Sequence, residues 1–197
     1  MEDLTLTFPE IYYIGKKLNG DSLNYQYIAR MPEIGTERMQ LEEGWEEDLV
    51  RKGAAEESLL DGISLRPETA EFLYPLYHSN YESELVLTLD QENTVTWMFH
   101  RAQQADAEQW LGAELKDKEA RFSPMVEKDG RVLEGLLDAT QDERALLLQR
   151  RDGESDERML FVYKDGWNRL LNEEEQEPVD SEQMKKTLYR ILFDKEE

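Results

Sequence analysis

Residues 81–101 constrain the fold of this chain more than any other stretch. Two runs rich in leucine, β-branched and aromatic residues, 84–89 and 94–101, flank a four-residue polar turn at 90–93. That arrangement predicts a β-hairpin. Leu85, Leu87 and Leu89 alternate with Glu84, Val86 and Thr88 in the first run. Val95, Trp97 and Phe99 alternate with Thr94, Thr96, Met98 and His100 in the second. Period-2 alternation of this kind gives one strongly apolar face and one mixed face, so helices are expected to cover one side.

Helical patterns precede the hairpin. Thr7 and Glu10 have the spacing of a capping box with Pro9 in the first turn, and the helix is expected to stop near Asn19 and Gly20. Residues 23–29 read as a short strand or an irregular link. A second helix is expected from Thr36 to about Lys52, with Leu41, Trp45 and Leu49 as its apolar stripe and Gly53 just past its end. The acidic residues Glu42, Glu43, Glu46, Glu47 and Asp48 are its wet face. Residues 59–65 form a tight turn between extended pieces. A third helix begins near Pro67 and is kinked or ended by Pro75. The succession helix, wing-like turn, helix resembles a winged-helix module, but its acidic helices are unsuited to phosphate contacts.

After the hairpin, residues 106–115 fit a strand or a short helix. Residues 120–127 read as a strand that Pro124 confines to an edge or bulge, and 131–140 carry helical spacing. Strands are expected at 145–150, 158–164 and 167–171. A solvated loop follows at 173–177, and a last helix capped by Asp180 buries Met184, Leu188, Ile191 and Leu192. Hairpin, strand and helix over about 84–140 are thus followed by the same series over about 145–194. The fold class is α+β: a central, mainly antiparallel sheet flanked by helices, with a weak internal structural repeat of two half-domains. We expect one domain over 1–197, with a helical region at 1–80 and two sheet-helix units at 81–140 and 141–197.

Composition limits the function classes. The net charge of −22 opposes binding to nucleic acid or anionic lipid and favours a basic partner. It is uneven: residues 1–115 hold 8 basic and 23 acidic side chains, net −15, while 116–169 hold 11 and 13, net −2. There is no cysteine, hence no disulfide, thiolate metal site or cysteine nucleophile. The start of the chain has neither a basic nor an apolar segment, so no signal peptide is expected, and no apolar run approaches a membrane span. A cytoplasmic location is expected.

Chemistry-bearing motifs are missing. His78 and His100 have no carboxylates at ligand spacing, so no metal or cofactor is expected. Ser58, Ser64 and Ser123 lack a nucleophile-elbow context, and the glycines form no phosphate-cradling loop. The chain does not read as an enzyme. Large apolar side chains beside a polar turn make Asp90, Asn93, Trp97, Phe99 and Trp110 the candidate partner-binding residues.

Three runs carry a family resemblance: LTFPEIYYIG at 6–15, LVRKG at 49–53, and LDGISLRP at 60–67 leading into a helix. With a strand-rich region closing on a C-terminal helix, they resemble the EspG-like chaperones of type VII (ESX) secretion systems, more closely the EsaE-type members of Gram-positive Firmicutes. The resemblance implies a cytoplasmic, non-enzymatic adaptor that binds a helical secreted effector or toxin and keeps it soluble for export. The alternative class is an acidic immunity or inhibitor protein that neutralises a basic toxin such as a nuclease.

Overall fold

The computed structural model describes residues 3–18, 20, 23–32, 38–58, 62–88, 94–104, 106–125, 144–152, 155–163, 165–172 and 175–194. Its centre is a nine-stranded antiparallel sheet in the order β1-β7-β6-β5-β4-β8-β9-β10-β11. The strands are β1 (Leu4–Thr7), β4 (Tyr81–Thr88), β5 (Thr94–Gln104), β6 (Ala107–Leu115), β7 (Glu119–Pro124), β8 (Arg144–Asp152), β9 (Ser155–Tyr163), β10 (Trp167–Leu170) and β11 (Gln176–Pro178). A separate hairpin pairs β2 (Ala55–Ser58) with β3 (Gly62–Leu65). The described helices are α1 (Phe8–Lys17), α2 (Tyr25–Ile28), α3 (Arg38–Arg51), α4 (Pro67–Phe72), α5 (Tyr74–Tyr77) and α6 (Ser181–Phe193).

The internal repeat is visible in the strand order. β4 to β7 make one four-stranded meander and β8 to β11 a second. The two join through their first strands, β4 and β8, paired antiparallel from Glu82↔Arg151 to Thr88↔Ala145. Like strands meeting antiparallel give the sheet a local two-fold character, as in a symmetric dimer. The expected helix at 131–140, which would end the first unit, lies outside the described residues.

Alternation along the hairpin sorts its side chains into two cores, not one. Met98 joins Leu6, Ile11, Leu76, Leu111 and Phe122 beneath α1, α3 and α5, on what we term the N-terminal face. Leu85, Leu87 and Phe99 join Phe161, Trp167 and the inner side of α6 on the opposite, C-terminal face. The expectation of helices on one side only is corrected, because the mixed face is buried as well. Described residues of the N-terminal region, from Leu4 to Tyr77, supply that second layer.

Several elements have local causes. Thr7 caps α1 by accepting from the Glu10 amide at 3.4 Å, and Glu10 reaches back to the Thr7 amide at 2.6 Å, completing the capping box. Asp180 accepts from the Gln183 amide at 2.8 Å at the start of α6. Pro75 lies in the first turn of α5, which begins where α4 stops. Pro124 ends β7 at a position that pairs with Leu111 of β6, beyond the last β1 pair at Phe122. No strand needs its missing amide on that side.

Two expectations are revised, and the strand-or-helix alternative at 106–115 is settled as a strand. Residues 23–29 contain the single helical turn α2, capped by Asn24 accepting from the Gln26 amide at 2.9 Å. The acidic loop at 173–177 includes the start of β11, an exposed three-residue edge whose charge discourages further pairing.

Tyr77 is locked by two glycines. Its hydroxyl donates to the Ile11 carbonyl at 2.6 Å. A Cβ at Gly15 would lie 2.8 Å from Tyr77 Cε1, and one at Gly20 would lie 2.8 Å from Tyr77 Cβ. The ring is 1% exposed, so it has nowhere to yield. Gly15→Ala is expected to cost about 2 kcal/mol through overpacking, despite the better helix propensity of alanine. Urea unfolding monitored by circular dichroism would measure it.

Candidate docking surface

On the C-terminal face, β5, β6 and β7 form the floor of a groove of about 210 Å³. Trp97, Phe99, Gly112, Arg121, Ser123 and Met125 line it. Strand register sets these positions side by side: Trp97 pairs with Glu114, Phe99 with Gly112, and Gly112 with Ser123. A Cβ at Gly112 would lie 3.0 Å from Met125 Sδ, so a larger residue there would have to push that flexible side chain aside. Arg121 stands at the rim, its Nε donating to Asp3 at 3.0 Å. Hydrogen bonds from Arg121 and Ser123 lower the Asp3 pKa.

The sequence candidates separate in this setting. Trp97 is half-buried in the groove. Phe99 is 4% exposed, with its ring 5.3 Å from that of Phe193 on α6. Trp110 is half-buried, stacks edge-on to Phe193 at 5.7 Å, and donates to Glu108 at 2.7 Å. Phe99 and Trp110 therefore help seat α6, while Trp97 faces the groove. Asp90 and Asn93 of the turn lie outside the described residues.

Sequence reading missed a polar cluster on the N-terminal face. His100 is fully buried, with Nε2 2.8 Å from the Tyr27 hydroxyl. Its Nδ1 is 3.3 Å from Glu82 Oε1, off hydrogen-bonding alignment. Asn24 donates to Glu82 at 2.7 Å and Ser79 donates to it at 3.0 Å. Gln26 donates to Glu84 at 2.6 Å, and Arg30 reaches Thr96 at 3.3 Å. Residues 24–30 are thus strapped across β4 and β5, with Tyr27 as the buried pin. The available signal was Asn24, a capping residue two positions before Gln26, but a four-residue helix has too little periodicity to read.

Burial opposes ionisation of Glu82, yet the His100 ring beside it and the Asn24 and Ser79 hydrogen bonds hold its pKa down to about 2. A carboxyl depressed in the folded state stabilises above its unfolded pKa, and that stabilisation fades as pH falls through the folded value. Wild type should therefore exceed Glu82→Gln in stability near pH 5. The margin should shrink between 4.5 and about 2. Urea midpoints across that range would check it. Burial also drives the Tyr27 hydroxyl well above its ordinary pKa, so it remains a phenol.

Among the described residues, no group of three or more His, Asp or Glu side chains is placed to hold a metal ion. No described helix is long and apolar enough to cross a membrane.

No protein-family model matches this sequence, and no curated protein matches it. The structure does have a solved counterpart. It matches the Mycobacterium tuberculosis type VII secretion system chaperone EspG5, solved in complex with the PE25-PPE41 dimer, with a TM-score of 0.60 over 96% of each chain. The fold is EspG-like. Sequence identity is 10%, so what the two chains share is the backbone architecture.

Proposed function

We propose that this protein is a cytoplasmic, non-enzymatic chaperone of a type VII secretion system, of the EsaE kind resembled by its sequence. It binds a helical secreted protein and keeps it soluble for export. The observation that carries this reading is the agreement in fold along 96% of both chains with a chaperone caught holding a protein dimer. The charge of −22 supports it, since a strongly charged coat keeps a complex with an apolar cargo in solution.

Cargo docking is assigned to the hairpin and its neighbours: Trp97, backed by Phe99 and Trp110 that seat α6, and the 90–93 segment with Asp90 and Asn93. Trp97 is the member with a groove beside it. The test is co-expression with helical proteins encoded next to this chain's gene, followed by affinity purification. Trp97→Ala, and separately Asp90→Ala with Asn93→Ser, should reduce recovery of the cargo while leaving the circular dichroism spectrum intact. Unchanged recovery with a folded variant would refute the placement.

A further inference from the structure

The two meanders are not covered alike. Over β1, β7, β6 and β5 the N-terminal face is closed by α1, α3 and α5. Among the described residues that helical layer occurs once, whereas the meander occurs twice. Beyond β4, the same face runs on across β8, β9 and β10. Register places Val86, Leu147, Leu160 and Leu170 in one row across these four strands. Met98 of β5 is fully buried, but Leu160 of β9, the second strand of the other meander, is 37% exposed. Val86, Val162 and Leu170 are only partly buried.

The row has a wall. The strapped segment at 24–30 stands beside it on β4, with Tyr25 72% and Ile28 49% exposed. These are two of the four large hydrophobic residues exposed among the described residues, and Leu160 is a third. At the foot of the wall a cavity of about 130 Å³ opens between α2 and β4, with Asn24, Tyr25, Met98 and the carboxylates Glu82 and Glu84 in its lining. Arg158 lies in the row Glu84–Gln149–Arg158, at its far end.

We propose that this half-walled apolar row docks an amphipathic helix of a basic partner polypeptide, with a lysine or arginine of that helix at the carboxylate-lined cavity. This rests on the chaperone reading and gives it a second surface, on the opposite side of the sheet from Trp97. Four strands span ~15 Å, wide enough for a helix ~10 Å across. The equivalent half of the same face is already packed by helices, so its sheet geometry is known to accept them. Charge selects the occupant: a second copy carries the same −22 and is repelled, whereas a basic helix is attracted.

The test uses the full chain, labelled with nitrogen-15, and a stapled helix of ~18 residues with leucine on one face and lysine on the other. A copy with glutamate in place of lysine is the control. The lysine helix should shift amides at 25–28, 158–162 and 168–170. L160E and Y25E should each weaken binding ~10-fold or more with unchanged thermal melting. Both sites are exposed, so folding should survive. Shifts confined to the Trp97 groove, with no effect of L160E, would overturn this placement and leave the chaperone reading standing. No binding of any helix would remove both. Equal binding of the glutamate helix, or a dimer of the free chain abolished by L160E, would overturn the basic partner.

Discussion

Replacing Glu10 by alanine should destabilise the protein by about 3 kcal/mol. Glu10 is fully buried. Its carboxylate accepts from the Thr7 amide at 2.6 Å, the Thr7 hydroxyl at 3.0 Å and the Lys52 ammonium at 2.6 and 2.8 Å. One side chain therefore closes the α1 cap and ties α1 to the end of α3. Alanine removes both functions and leaves the Lys52 charge facing a buried gap. Lys52 is 28% exposed at its side chain and regains some hydration, which keeps the loss near the lower end for broken buried pairs. Lys52→Met leaves the carboxylate its two Thr7 donors, so it should cost less, about 2 kcal/mol. A double-mutant cycle should give a coupling energy of at least 1 kcal/mol. Near-additivity would show that the cap alone matters.

Leu188→Ala should cost about 3 kcal/mol, within the range for a buried leucine truncated to leave a cavity. Leu188 is 1% exposed in the centre of α6, among Leu85, Leu87 and Phe161. α6 is the described helix that covers this part of the C-terminal face, so little beside it can collapse into the space. Its end is fixed separately: Tyr81 donates to the Ile191 carbonyl at 2.6 Å and Ser83 to the Leu192 carbonyl at 2.8 Å. Those two bonds should keep α6 docked in the variant. Far-ultraviolet circular dichroism should then be unchanged below the transition while the urea midpoint falls. A loss of helical signal in buffer would show that the apolar contacts, not the polar ties, hold α6 in place.

Features governed by neighbours along the chain were legible. Thr7 with Glu10, Asp180, Pro67 and Pro75 each act within one helical turn, so their residue types state their roles. The hairpin was legible because register and alternation travel together, from Tyr81↔Arg101 to Thr88↔Thr94. Its surroundings were not. The alternation that places Phe99 on one face and Met98 and His100 on the other reads as inside and outside when a single layer is assumed. Only the tertiary arrangement shows that the helices of the N-terminal region return to bury the second face. Ala107–Leu115 has helix-favouring alanine and glutamate, but β5 and β7 on either side make it a strand, a case of context overriding propensity.

The candidate site was readable to a lesser degree. Trp97 was identifiable as a large apolar residue on a strand beside a polar turn. That Phe99 and Trp110 brace Phe193 depends on a residue 94 and 83 positions further along the chain. The exposed row at Leu160 was hidden for the opposite reason. Alternating strands at 158–164 look the same whether a helix lies over them or not, and only the structure shows Leu160 exposed.

The most direct measurement is made on a neighbour-encoded helical protein expressed alone and together with this chain. Its soluble fraction is followed by size-exclusion chromatography with light scattering, and any enzymatic activity it has is assayed in the complex. A chaperone should convert an aggregating cargo into one monodisperse complex and leave its activity intact. A cargo equally soluble by itself, or one whose activity disappears on mixing, would contradict the chaperone reading and point to an acidic inhibitor.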